Sequence, residues 1–208
     1  NRQFNLPSYT FTGISPTYKW ARLHLGDRSL NFSKYTLNSI NFRGVGFELQ
    51  PGRLYVAGMY GRLRRAVAED LLSQQMLEPA YLRTGYGFKA GITGVSSEYH
   101  IMVFGAWDDP NSISQPLMRA VLPANNAVIS LNGRQQLGKK FNAELELARS
   151  AYNQDRRLDP LAGNERNAAN TLLGLLQPTV SLINGNALRG KLAYSTRGLG
   201  LQAGYERL

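Results

Sequence analysis

The sequence predicts an all-β fold, an antiparallel up-and-down transmembrane β-barrel with about ten strands in this stretch. Three observations carry that expectation. Apolar and polar side chains alternate with a period of two in stretch after stretch, which sends neighbouring residues to opposite faces of a strand. The links between those stretches alternate short and long down the whole chain. The longest purely apolar runs are only a few residues, far short of the roughly twenty that a membrane-spanning helix needs, so any crossing must be made by strands.

The clearest unit is residues 81–107, YLRTGYGFKAGITGVSSEYHIMVFGAW. Leu82, Thr84, Tyr86, Phe88, Ala90 and Ile92 alternate with Arg83, Gly85, Gly87, Lys89 and Gly91. After a turn at 94–97 the pattern resumes, with Tyr99, Ile101 and Val103 opposed to Glu98, His100, Met102 and Phe104. This reads as a long antiparallel hairpin.

The other elements follow in chain order. Residues 9–14 and 18–27 form a hairpin closed at Ser15-Pro16-Thr17, where proline suits a turn. A polar connection, RSLNFSKYTLNSIN, leads to residues 42–49, in which Val45, Phe47 and Leu49 oppose Gly44, Gly46 and Glu48. Gln50-Pro51-Gly52 is a turn, and residues 53–63 alternate Leu54, Val56, Gly58 and Tyr60 with Arg53, Tyr55, Ala57 and Met59. Residues 64–80 break the pattern with good helix formers and suggest a loop carrying a short helix. Beyond the central hairpin, 108–126 is a long connection. Ala127, Ile129 and Leu131 then oppose Val128, Ser130, Asn132 and Arg134. After Gly138-Lys139, Phe141, Ala143, Leu145 and Leu147 oppose Asn142, Glu144, Glu146 and Ala148. Residues 153–185 form the longest gap and contain an apolar piece, TLLGLLQPTVSLI, with no assigned place. Two last strands alternate Leu188, Gly190, Leu192 and Tyr194 with Arg189, Lys191 and Ala193, then Leu199, Leu201, Ala203 and Tyr205 with Gly200, Gln202, Gly204 and Glu206.

Long loops are thus expected near 28–41, 64–80, 108–126 and 153–185 of a single barrel domain or barrel segment. A meander with links alternating in this way puts its tight turns at one end, which is how outer-membrane barrels are built. In that frame Arg22, Arg53, Arg83, Lys89, Arg134, Glu144, Glu146, Arg189 and Lys191 line the interior. Leu82, Tyr86, Phe88, Ile92, Leu145, Leu147, Leu192 and Leu201 face lipid. A soluble sheet with its charged face in water is the competing arrangement.

Composition narrows the function classes. The chain has 208 residues, 21 glycines, 11 tyrosines and no cysteine, which removes disulfides, Cys-ligated zinc and thiol chemistry. The net charge is +10, yet lysine and arginine are scattered along the chain and not gathered on one helix, so no nucleic-acid partner is expected. The glycine-rich pieces GYGFKAG and GVGFEL lie inside strands and lack the phosphate-cradling spacing.

Several constellations carry possible chemistry, each with a plainer alternative. His24 and His100, the two histidines, could form a metal pair or part of a serine–histidine hydrolase, but no third partner is identified and wall residues are the expectation. Glu144 and Glu146 point the same way roughly 7 Å apart, as an acid–base pair or as a salt-bridge ladder with neighbouring arginines. Trp107-Asp108-Asp109-Pro110-Asn111 offers oxygen ligands for calcium or a solvated turn beneath an interfacial tryptophan. Tyr9, Tyr18, Tyr60, Tyr81, Tyr99, Tyr152, Tyr194 and Tyr205 are placed for an aromatic girdle, with sugar stacking in the lumen as the alternative. Arg64, Arg65, Arg156, Arg157 and Arg166 lie in long loops that could meet lipopolysaccharide phosphates.

The run YKWARLHLGDRSLNFSKYTLNSINFRGVGFELQPGRLYVAGMYGRL, with LQAGYERL later, resembles the strands of large outer-membrane β-barrel proteins of Bacteroidota-type, Gram-negative bacteria. The resemblance implies a bacterial outer-membrane location and a barrel that exceeds ten strands. Asn1 is preceded by no methionine or signal peptide, and both chain ends emerge on the long-loop side. This stretch is therefore expected to be a piece of a larger barrel. The functional expectation is a porin-like channel for small solutes, with no enzyme activity, catalytic residues, metal or cofactor. The alternative is a structural or scaffold barrel component of an outer-membrane secretion or assembly complex. Expected partners are outer-membrane lipid and lipopolysaccharide, and other outer-membrane or periplasmic proteins.

Overall fold

A computed structural model of the chain describes residues 12–69, 78–116, 121–197 and 199–208. The described chain is one antiparallel sheet in which sequence neighbours are spatial neighbours. Its strands are β1 (Gly13–Ile14), β2 (Thr17–Tyr18), β3 (Ala21–Leu30), β4 (Ile40–Leu49), β5 (Leu54–Arg64) and β6 (Arg83–Thr93). They continue with β7 (Ser97–Asp108), β8 (Asn125–Leu137), β9 (Phe141–Asn153), β10 (Leu182–Thr196) and β11 (Leu199–Arg207). Short turns at 19–20, 50–53, 94–96, 138–140 and 197–198 sit at one end, and long links at 31–39, 65–82, 109–124 and 154–181 at the other. Gly52 and Gly138, at φ 67 and 66, supply the left-handed backbone of two of the tight turns.

The first hairpin differs from the expected one. Its turn is at Lys19-Trp20, and β1 and β2 are two halves of one irregular strand along β3, with Ile14 opposite Leu25 and Thr17 opposite Arg22. Pro16 interrupts that edge strand without cost to the ladder, because its carbonyl accepts the Leu23 N–H at 3.0 Å. Residues 9–11 of the strand expected over 9–14, with Tyr9, lie outside the described residues, as do residues 70–77 of the 64–80 segment expected to carry a short helix. At the flanks of that segment the chain closes on itself, with Val67 and Ala80 exchanging backbone hydrogen bonds of 2.8 and 2.9 Å.

The sheet is not closed into a barrel. β1 and β2 lie on one side and β11 on the other, and no described strand pairs with the second edge of β11. It is nevertheless strongly curled. Lys34, four residues past the end of β3, holds Glu206 of β11 at 2.6 Å. Eight strand-to-strand steps in a flat sheet span about 38 Å, whereas four residues of chain reach at most about 14 Å. Curvature must supply the difference.

Register fixes which side chains share a face. Arg22 stands opposite Glu48, Arg134 opposite Glu144, and Glu146 opposite Arg189, which in turn faces Glu206. This set defines the inner face, toward which the 31–39 link folds. The opposite face carries Val45, Tyr60, Phe88, Ile101, Leu131, Leu145, Leu147, Leu192 and Leu201, all exposed.

Two apolar clusters hold the chain together, and neither was evident from alternation. Inside the curve, Leu30, Phe42, Ala57, Met59, Met102, Phe104 and Ala106 are covered by Phe32 and Leu37 from the 31–39 link. Outside it, Leu172 and Leu176 pack on Ala127 and Ala151, with Ile129, Leu175 and Leu182 against them. That second cluster gives the piece TLLGLLQ its place, as a flap over the outer wall of β8 and β9. Leu172 and Leu173 take positive φ of 47 and 59 to make its turn. The gap expected over 153–185 is correspondingly shorter, because β10 begins at Leu182 in register with Asn153.

Candidate functional site

The candidate site is the inner face together with the link folded into it. The link, NFSKYTLNS, is amphipathic over nine residues. Phe32 and Leu37 turn toward the apolar wall of β4, β5 and β7. The ring of Phe32 fits because Gly87 stands beneath it: a Cβ there would lie 2.8 Å from Phe32 Cε2. The polar residues turn the other way. Lys34 Nζ donates to both oxygens of Glu206 at 2.6 and 2.7 Å, and Tyr35 Oη donates to Glu206 Oε1 at 2.7 Å. Tyr35 N–H points at Glu146 Oε1 at 3.4 Å, and Thr36 is hydrogen-bonded to Ser130. From β6, Lys89 Nζ donates to the Phe32 carbonyl at 3.1 Å. Desolvation, followed by the hydrogen bond to Glu206, pushes the Tyr35 phenol up to about 12.

Most of the expected interior set stands on this face. Glu146 is only 3% exposed, and Lys89 is half-buried beneath the link with its ammonium 5.5 Å from the Tyr55 ring centroid. Arg134 and Glu144 lie 3.8 Å apart, and Lys191 stands opposite Glu144 across the β9–β10 pair. Glu144 and Glu146 therefore belong to a charged ladder that runs from β8 to β11. Arg83 sits at the long-link end, where its guanidinium and that of Arg64 approach Asp108 at 3.3 and 3.4 Å. Arg53 differs: it is a turn residue just before β5 and not a wall residue. The inner wall is also less polar than alternation suggested, since Phe42, Met59, Met102 and Phe104 lie on it beneath the link.

The residues expected to face lipid share the outer face, with one exception. Phe88, Ile92, Leu145, Leu147, Leu192 and Leu201 are all between 43% and 59% exposed. Tyr86 points outward and its ring meets Trp107 at 6.2 Å. Leu82 is not on the outer wall: it precedes β6, and its backbone N–H donates to Ser112 Oγ at 2.9 Å. Two aromatic groups mark the ends of the outer wall. Tyr60, Tyr86 and Trp107 cluster toward the long links. Tyr99, and Phe141 with Tyr194 at 4.8 Å, lie toward the tight turns. Tyr18 and Tyr205 are exposed as well. Tyr81 is 1% exposed and lies in no girdle, and Tyr152 shares the inner parity of Glu146 and Ala148.

The histidines have separate settings. His24 is buried, with Nδ1 2.9 Å from Ser15 Oγ and Nε2 2.8 Å from Glu48 Oε1. Tyr55 Oη donates to the other oxygen of Glu48 at 2.9 Å. Glu48 is thus the third partner that sequence reasoning lacked. The only signal for it was that Glu48 falls on the inner face of the strand after that of His24. The ring nitrogens are exchanged relative to a hydrolytic triad, in which the serine sits on Nε2. His100 instead lies 3.3 Å from Thr93 Oγ1 and edge-on to Tyr55. Among the described residues no three His, Cys, Asp or Glu side chains are grouped as a metal site.

At the long-link end, Asp108 and Asp109, weighed as calcium ligands or as a solvated turn, bond to protein groups. Asp108 is buried, faces Arg64 and Arg83, and accepts the Ala124 N–H at 3.1 Å. Asp109 caps its own turn through the Asn111 N–H. Arg157 grips Asp155 through Nε and Nη2 at 2.9 and 2.7 Å, a two-point pairing that holds the Asp155 carboxyl below its usual range. Arg156 donates to the Asp108 carbonyl at 2.7 Å and its N–H to the Pro123 carbonyl at 2.9 Å, so Arg156 ties the fourth long link to the third while Arg157 pairs within its own link.

A cleft of about 410 Å³ opens at the tight-turn end, lined by Thr17, Lys19, Trp20, Arg22, Glu48, Gln50 and Tyr55. The Gln50 N–H donates to the Trp20 carbonyl at 2.7 Å, which ties the first two tight turns together beside it. No helix among the described residues is long and apolar enough to cross a membrane, a statement that says nothing of strands. No family model, curated protein or solved structure matches this chain.

Proposed function

We propose that this curled sheet is the wall, or a sector of the wall, of an integral outer-membrane β-barrel that acts as a porin-like channel for small solutes. One observation carries the reading: large apolar side chains are exposed on the outward face while most charged strand residues turn inward, as in Leu145 and Leu147 on either side of buried Glu146, and outward charges such as Asp27, Arg43, Arg62 and Arg149 lie in the halves of their strands nearer the long links. In water that arrangement leaves an apolar wall wet and charges under cover, both costly. In lipid the same wall is solvated by hydrocarbon, while the inner charges face one another along the β8–β11 ladder or, where the link leaves them open, meet the aqueous lumen. The aromatic groups support it too. From Tyr99 to Trp107 is eight residues, about 27 Å of strand or roughly 20 Å along the axis of a tilted barrel, near the height of the apolar band of such proteins.

Lining cations outnumber carboxylates, which favours small anions. We assign no catalytic step, metal or cofactor to the chain. Its partners in this reading are outer-membrane lipid and lipopolysaccharide, and no nucleic acid.

A second reading, a structural or scaffold barrel in an outer-membrane secretion or assembly complex, is favoured by the 31–39 link, which fills much of the inner face. Reconstitution into planar bilayers separates the two. Discrete conductance with an anion-shifted reversal potential supports the channel. A protein that inserts into vesicles, stays silent and co-purifies with stoichiometric partners supports the scaffold. Failure to enter vesicles overturns both.

A further inference from the structure

We infer that the cleft at the tight-turn end binds an anionic monosaccharide, a sugar ring carrying a carboxylate or a phosphate. Its charge is the first reason. Lys19 and Arg22 line it against a single carboxylate, Glu48. Both oxygens of Glu48 are already engaged, by His24 at 2.8 Å and Tyr55 at 2.9 Å. Arg22 spends Nε on Thr17 Oγ1 at 3.2 Å and comes no closer than 3.8 Å to Glu48, with its side chain 53% exposed. Nη1 faces Glu48 only at that long distance and Nη2 is open to a ligand anion, for which a guanidinium offers two-point recognition.

Shape is the second reason. Trp20 and Tyr55 put two aromatic surfaces around the same space, with Thr17 and Gln50 as polar neighbours. Aromatic faces accept the C–H faces of a sugar ring, while hydroxyls and side-chain amides take its hydroxyls. A volume of about 410 Å³ is at the small end of the range for ligand sites. The site is also held in place: His24 is clamped between Ser15 and Glu48, and the Trp20 carbonyl is fixed by Gln50 N–H. Its role as a halt for a permeating solute at the periplasmic mouth rests on the channel proposed above, whereas binding does not.

Titration of the full chain in detergent tests this without a bilayer. The chain has two tryptophans, and Trp107→Phe leaves Trp20 as the reporter, with calorimetry on the unaltered protein as the second readout. Glucuronate or glucose 6-phosphate should shift Trp20 emission saturably. Glucose and inorganic phosphate should each bind at least about tenfold more weakly, and Arg22→Gln should cost a similar factor, about one charge-assisted pair. Lys19→Gln, at a turn residue, should weaken binding less. The proposal is overturned if neither anionic sugar gives a saturable signal, if glucose or phosphate binds as tightly, or if Arg22→Gln binds normally. Binding in a protein that passes no current removes the channel and keeps the site, and current without binding does the reverse.

Discussion

Lys34 and Glu206 are 172 positions apart in the chain and 2.6 Å apart in space. That one pair joins the first long link to the last strand across the inside of the curve. Losing it should free the link without unfolding the sheet, because Phe32 and Leu37 remain seated on the other side. Lys34→Ala and Glu206→Gln should each speed amide exchange at residues 33–36 while β6 to β9 stay protected. The exchanged pair, Lys34→Glu with Glu206→Lys, should restore protection. Unchanged exchange in both single variants means the pair does not hold the link.

The apolar half of the link should contribute more to stability than the polar half. Leu37 is fully buried and Phe32 nearly so, so Leu37→Ala or Phe32→Ala should cost about 3 kcal/mol each. Denaturant midpoints of the folded protein in detergent provide the check. Gly87→Val should act like Phe32→Ala, by filling the space the ring occupies.

Alkali should release the link. The Tyr35 phenol ordinarily titrates near 10 and is raised to about 12 in the folded chain. A raised value means the folded state favours the neutral phenol. The corresponding stabilisation is complete below pH 10 and disappears as pH rises through about 12. Proteolysis or exchange at residues 33–36 should increase across that window, and Tyr35→Phe should weaken the pH dependence.

Acid should loosen the fourth long link. Arg157 lowers the Asp155 carboxyl, so its stabilisation is present above the ordinary carboxylate range and is lost as pH falls through the lowered value. Limited proteolysis at residues 154–160 should increase below about pH 4. Asp155→Asn should show that susceptibility already at neutral pH.

A charge on the outer wall discriminates between lipid and water. Leu145→Arg at mid-strand should destabilise the membrane-inserted protein by about 2–4 kcal/mol. If that face is wet, the same change should fall within about 0.5 kcal/mol.

Alternation revealed which residues share a face wherever strands were regular, as in Phe141 to Ala148 and the central hairpin. It could not reveal what lies on that face. Met59, Met102 and Phe104 were correctly set opposite Tyr60, Ile101 and Val103, yet their cover comes from Phe32 and Leu37 in a link with no periodicity to read. The same limit hid the flap of Leu172 and Leu176. Pro16 misplaced the first turn because proline is equally at home in a turn and on an irregular edge strand. Leu82 and Arg53 failed for a simpler reason: both lie one residue outside a strand, where parity no longer assigns a face. Glu48 could be placed beside His24 only once the β3–β4 register was known.

Where this stretch is handled by itself, the flank of β11 that no described strand pairs has a practical consequence. Its nine residues offer a row of backbone donors and acceptors that any extended segment can zip onto, and in dilute buffer the nearest such segment belongs to another molecule. Refolding yield should therefore fall steeply with concentration. A lysine or proline introduced along that flank should improve the yield more than any change to the interior.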